Sequence, residues 1–232
     1  DGTGPAGPGY DFGDRRFPIT DRTAQIVESP DTLHVESQSL APPTAPQGST
    51  DVEMLQLALW VDDDAVRIIG FEVDQIGDAV SGDDVSLCRL YDDPNGNGRI
   101  EPGEQLLGET SFVGGKAQIS GLSLEVTATY EIPRKVILAV NISNTATLDR
   151  KVQLELIANS ITLAINPHDP YRDTVDYTNF PHTSGETIIT RSNEPPSLSA
   201  PGGDYTQALN PKYGLVTDTY EFRVIYTDVE ND

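Results

Sequence analysis

Val85-Ser86-Leu87-Cys88-Arg89-Leu90-Tyr91-Asp92-Asp93-Pro94-Asn95-Gly96-Asn97-Gly98-Arg99-Ile100-Glu101-Pro102-Gly103-Glu104-Gln105-Leu106-Leu107-Gly108 is the stretch on which the fold turns. Its middle satisfies D-x-[DN]-x-[DN]-G-x₅-E, with Asp93 first, Asn95 third, Asn97 fifth, Gly98 sixth and Glu104 twelfth. The spacing has a chemical reason. A hard Ca²⁺ ion takes six to eight oxygens, so alternate short side chains on a curled loop converge on it while a distal Glu closes the cage. Arg99 then offers its main-chain carbonyl and Glu101 stands at the ninth position, where a direct or water-mediated ligand is usual. The expected metal ligands are therefore Asp93, Asn95, Asn97, Arg99, Glu101 and Glu104, with Asp92 a spectator charge and Ca²⁺ the cofactor. Two of these ligands are neutral Asn, which points to the weak extracellular affinity range of about 10⁻⁴ to 10⁻³ M and to structural rather than signalling calcium.

The flanks are not those of a helix–loop–helix hand. Residues 85–91 and 105–112 read as strands, and Pro94 and Pro102 suit a loop, so the motif is expected to bridge two strands. The competing reading is an acidic hairpin turn, since Asn95-Gly96 and Asn97-Gly98 are strong turn dipeptides by themselves.

Outward from this stretch the pattern is two-residue alternation. Leu55, Leu57 and Leu59; Ile69, Phe71 and Val73; Val136, Leu138, Val140 and Ile142; and Val152, Leu154 and Leu156 each alternate with mostly polar or smaller residues. Turn signals fall at residues 79–84, 114–115 and 141–144, and a closing strand is expected over residues 186–190. Helical spacing is scarce. The expected fold is an all-β, antiparallel, immunoglobulin-like β-sandwich over residues 31–192, with the calcium loop connecting two of its strands.

Two segments stand apart from it. Residues 1–30 open with Gly2, Gly4, Pro5, Gly7, Pro8 and Gly9 and read as an extended arm. At Asn193-Glu194-Pro195-Pro196 a Pro-rich joint restarts the pattern, and Tyr220, Phe222, Val224 and Tyr226 alternate in an incomplete second β domain or strand-exchange segment over residues 193–232. Residues 166–185 read as a long surface loop, and residues 228–232 as a weak second acidic candidate.

Fifteen Lys and Arg against 37 Asp and Glu give a net charge of −22, which repels nucleic acid and anionic membrane surfaces. No apolar stretch approaches a membrane span, so no membrane insertion is expected within this chain. Residue 1 is Asp and no signal-peptide pattern is present, so the chain reads as processed or cut from something longer. The single cysteine, Cys88, sits in an apolar run and reads as a core residue.

No nucleophile elbow, zinc-protease, P-loop or haem-attachment motif occurs, and His34, His168 and His182 lack metal-ligand spacing, so no catalytic residues and no enzyme are expected. Trp60 reads as core or interface, while Tyr171, Tyr177 and Phe180 are the residues from which a sugar platform would have to be built.

Residues 49–57, the strand and loop of residues 85–98, and residues 103–108 together resemble a recurrent calcium-loop sandwich domain of large prokaryotic cell-surface proteins. The restart at residues 193–199 with the strand of residues 220–226 is similar to the opening of an immunoglobulin-like repeat in such proteins. The resemblance implies an extracellular structural or adhesive subunit of a surface layer, adhesin or filament, assembling with itself or with tandem β domains. The alternative is a non-catalytic accessory or carbohydrate-binding module of a secreted hydrolase.

Overall fold

A computed structural model describes residues 30–165, 172–192, 197–202, 209–210, 215–217 and 219–227. Most of the arm, His168, Tyr171, the joint at residues 193–196 and the acidic end at residues 228–232 lie outside the described residues. Every regular element among the described residues is a strand. In chain order these are β1 (Thr32–Ser39), β2 (Thr44–Pro46), β3 (Val52–Val61), β4 (Val66–Gly77), β5 (Val85–Asp92) and β6 (Leu106–Ser111). There follow β7 (Lys116–Val126), β8 (Arg134–Ile142), β9 (Lys151–Leu156), β10 (Ile161–Leu163), β11 (Thr174–Val175), β12 (His182–Thr183) and β13 (Thr187–Thr190). Last come β14 (Ser197–Ser199), β15 (Leu209–Asn210), β16 (Glu221–Phe222) and β17 (Ile225–Thr227).

Two sheets form the sandwich. One is six-stranded in the order β11-β1-β3-β8-β5-β6. In the other, seven-stranded, β4 is the hub: β7 pairs along one edge of it, β10 and then β9 along the other, and β9 leads on to β13 and β2. Leu55, Leu57 and Leu59 of β3 and Val136, Leu138 and Val140 of β8 meet Phe71 and Val73 of β4 and Val152, Leu154 and Leu156 of β9 in one buried cluster. Burial of this apolar surface is the main drive to the fold. Cys88 is buried within the same cluster, and burial pushes its thiol up to about 12, so it is an inert packing residue.

The all-β sandwich is the one the alternation describes, with three departures. First, β1 with β11 and β13 with β2 pair in parallel, because alternation reports which face a residue occupies and not the direction of its neighbour. Second, Phe71 and Val73 join the core but Ile69 is only half-buried and Ile68 takes its place, since the β4–β7 register shifts between Ile68 and Gly70. A second shift, between Glu53 and Leu55, puts Met54 and Leu55 in the core as consecutive residues. Third, the described part of the long loop carries β11 and β12, which stitch it to β1 and β9. A surface excursion is therefore the wrong description of residues 172–185.

Beyond the sandwich, β14 pairs with β17 and β15 with β16 in two separate antiparallel ladders. Leu198, Phe222, Ile225 and Tyr226 are exposed there. No helix of the described residues is long and apolar enough to cross a membrane.

Candidate metal centre

The loop of residues 93–104 leaves the end of β5 and returns into β6, two antiparallel neighbours. It does not project into solvent. It folds back over the outer face of the six-stranded sheet, where β3 and β8 lie side by side. The row Gln56, Ile137 and Tyr91 runs across that face, opposite to the core, yet Gln56 is 5% exposed and Ile137 0%.

Within the loop the short polar side chains do what the spacing demands. Asn95 Oδ1 accepts the Asn97 N–H at 2.9 Å and Asn97 Oδ1 accepts the Arg99 N–H at 2.8 Å, two successive Asx turns that curl the chain. Asp93 Oδ2 accepts the Gly98 N–H at 3.1 Å across the loop, and Gly98 has a φ of +72°, which favours glycine. A Cβ at that position would also lie 2.8 Å from Leu40 Cδ2, the movable tip of a side chain, so it is the conformation that calls for glycine. Glu104 Oε2 accepts the Glu101 N–H at 3.1 Å, while Glu101 Oε2 accepts a hydrogen bond from Asn95 Nδ2 at 2.9 Å.

Two oxygens are left over. Asp93 Oδ1 and Glu104 Oε1, from the first and twelfth loop positions, are fully enclosed and have no hydrogen-bond partner. Asp93 as a whole is 1% exposed. An enclosed carboxylate oxygen without a donor is costly unless a cation or a proton answers it. The donor chemistry suits a hard cation: carboxylate and amide oxygens, with no sulfur or imidazole. An amide oxygen that accepts one N–H keeps a second lone pair, so the Asx turns leave Asn95 and Asn97 able to coordinate. Arg99 enters the loop through its N–H, and Glu101 is exposed and turned towards Asn95. Among the described residues no three His, Cys, Asp or Glu side chains come together as a metal cage, so any ion here would depend on amide and carbonyl oxygens as much as on carboxylates. Asp92 is held away from the loop by Arg134, with both of its oxygens 3.1 Å from guanidinium nitrogens.

Three residues that the motif does not contain hold the loop on the sheet. Gln56 Nε2 donates to Asp93 Oδ2 at 2.5 Å and to Gly96 O at 3.4 Å. Glu53 accepts the Ile100 N–H at 3.2 Å, and Lys135 Nζ donates to Gly96 O at 3.3 Å. In the sequence Gln56 is simply the polar residue between Leu55 and Leu57, and no local signal ties it to Asp93, 37 positions away.

The other candidates are engaged elsewhere. His34 contacts Asp176 at 3.2 Å and stacks on Trp60, whose edge meets Tyr130, so Trp60 lies half-buried on the sheet's outer face and outside the core. Tyr177 and Phe180 pack against each other with ring centroids 4.8 Å apart, and Phe180 packs on His182.

No family model matches the chain, and no curated protein is similar to it. Among solved structures it is similar to the solution structure of CaCohA2 from Clostridium acetobutylicum, at 10% identity over 68% of this chain and 91% of that one, with a TM-score of 0.30. The same protein in its complex with CaDoc0917 gives 10% identity over 70% of this chain and 99% of that one, with a TM-score of 0.27. A DUF4466 family protein from Parabacteroides merdae gives 10% identity over 74% of this chain and 47% of that one, with a TM-score of 0.34. Identities and superpositions this low attach the chain to none of them.

Proposed function

We propose that this chain is a non-catalytic, calcium-stabilised β-sandwich subunit of an extracellular surface structure, in which a Ca²⁺ ion held by residues 93–104 pins the β5–β6 connection to the sheet. The observation that carries the reading is the pair of enclosed, unpartnered oxygens, Asp93 Oδ1 and Glu104 Oε1, at the two ends of a loop already curled by Asx turns. Bound there, the ion supplies positive charge to oxygens that otherwise have none. Asp93 and Glu104 would hold it by carboxylate, Asn95 and Asn97 by amide oxygen, and Arg99 by its carbonyl, with Glu101 direct or through water. A weak, low-charge site of this type loads outside cells and not in the cytosol. The net charge of −22 suits the same setting.

Assembly with further copies or tandem β domains is the role supported by the exposed apolar residues of the two small ladders, Leu198, Phe222 and Ile225 among them. The test of the calcium reading is thermal unfolding of calcium-loaded protein before and after excess chelator. A lower melting temperature in chelator is expected, and an unchanged one overturns the stabilising role. Sedimentation of the native material tests assembly, where a monomer at all concentrations counts against it.

A further inference from the structure

We infer that the outer face of the six-stranded sheet is the second half of this metal site, with Gln56 and Glu53 as the positioning residues that hold the loop ready for its ion. The inference rests on the calcium reading above and adds residues that the loop signature cannot contain. Asp93 has two carboxylate oxygens with different fates. Oδ2 is occupied by the Gly98 N–H from within the loop and by Gln56 Nε2 from strand β3, and Oδ1 is left enclosed and free. Two donors on one oxygen fix the rotation of the carboxylate, so the free oxygen is aimed by its neighbours and does not have to be selected from rotamers on binding. Gln56 is itself 5% exposed and reaches Gly96 O with the same nitrogen, so it ties the first and fourth loop positions to the strand together.

Glu53 does the same for the returning half of the loop, accepting the N–H of Ile100 just after the second Asx turn. With both anchors made, the orienting partners come from β3, an interior strand two pairings from the β11 edge of the sheet and three from the β6 edge. Outer partners of metal ligands typically affect affinity about 10–100-fold because they set ligand orientation. Gln56 is matched to this task and Glu is not: an amide nitrogen donates to Asp93, whereas a carboxylate would face it as a like charge.

The experiment is calorimetric titration of CaCl₂ into the full chain and into Gln56→Met, Gln56→Glu and Glu53→Met, at neutral pH and at a temperature where circular dichroism shows each to be folded. Gln56→Met is expected to weaken binding roughly tenfold or more, and Gln56→Glu to weaken it further. Glu53→Met should weaken it as well, and because Glu53 is part-exposed it remains informative if Gln56→Met does not fold. Unchanged calcium affinity in folded Gln56→Met or Glu53→Met overturns the inference while leaving the calcium site standing. Binding by Gln56→Glu as tight as that of the unsubstituted chain also overturns it, since position 56 would then be a bystander or a ligand. An unsubstituted chain that takes up no Ca²⁺ overturns the calcium reading itself and this inference with it.

Discussion

Asp93 is the residue on which most depends, because it carries an enclosed charge whose Oδ1 has no protein partner. Removing that charge separates metal binding from folding. In chelator, Asp93→Asn is expected to melt no lower than the unsubstituted chain, since the uncompensated carboxylate is gone. In millimolar calcium it should melt lower and show no calcium-dependent rise, and Glu104→Gln should behave alike. Melting curves with and without calcium check this, and a full calcium response in Asp93→Asn would rule out the assigned ligand. His182 gives the pH dependence. Its burial holds it below the usual 6.5, against the opposing pull of the Val35 backbone and the Glu36 charge, while Nδ1 contacts Ser37 Oγ at 3.0 Å. The unfolded chain therefore binds a proton that the fold refuses, so this contribution is complete above 6.5 and is lost as the pH falls below it. Asp84 acts in a lower window. Burial works to raise it, but the hydrogen bonds from Val80 and Thr147 outweigh burial and hold it below 3.8. Urea titrations should show stability declining from pH 7 to 5, with a shallower decline in His182→Gln. An identical slope in that variant would remove His182 as the source.

At the scale of the element, β8 shows why alternation is an incomplete guide. Val136, Leu138, Val140 and Ile142 face the core as their spacing implies, but Ile137 and Ala139 between them are equally buried. The reason lies outside the strand: the loop of residues 93–104 folds over this face and contacts Gln56, which pairs with Ile137. Ile137→Ala should therefore cost about 2–5 kcal/mol, in the range of a core truncation such as Leu138→Ala. A denaturant-measured loss near zero would mean that the outer face is open. The same reasoning covers β3 and β4, where one extra residue, Met54 opposite β8 and Ile69 opposite β10, resets the parity of everything beyond it and leaves Ile69 out of the core.

At the scale of the whole molecule, the loop ties two edge-side strands, β5 and β6, to the centre of their sheet at β3 and β8. A ligand that binds only the folded state stabilises it by about 2.7 kcal/mol at one hundred times its dissociation constant. For a domain of this size that is on the order of 5–10 °C in melting temperature. The chelation experiment should find a shift of that order at about 10 mM calcium if the affinity lies near 10⁻⁴ M. Magnesium should reproduce little of it, because it prefers smaller octahedral sites and keeps its waters.

Read alone, the sequence specified the all-β class, the inward rows of β3, β8 and β9, the inert burial of Cys88, and a strand-bridging loop with oxygen-bearing side chains at regular spacing. These are local properties: alternation and loop spacing are written in contiguous residues, and the physics that reads them acts over a few positions. The tertiary structure alone decided that two pairings are parallel, that bulges reset β3 and β4, and that residues 172–185 belong to the sheets. It also decided that the loop lies against the sheet, with Gln56 on Asp93 and Glu53 on Ile100. Those contacts join residues 37 and 47 positions apart, and only the packing of strands brings them within a hydrogen bond of one another.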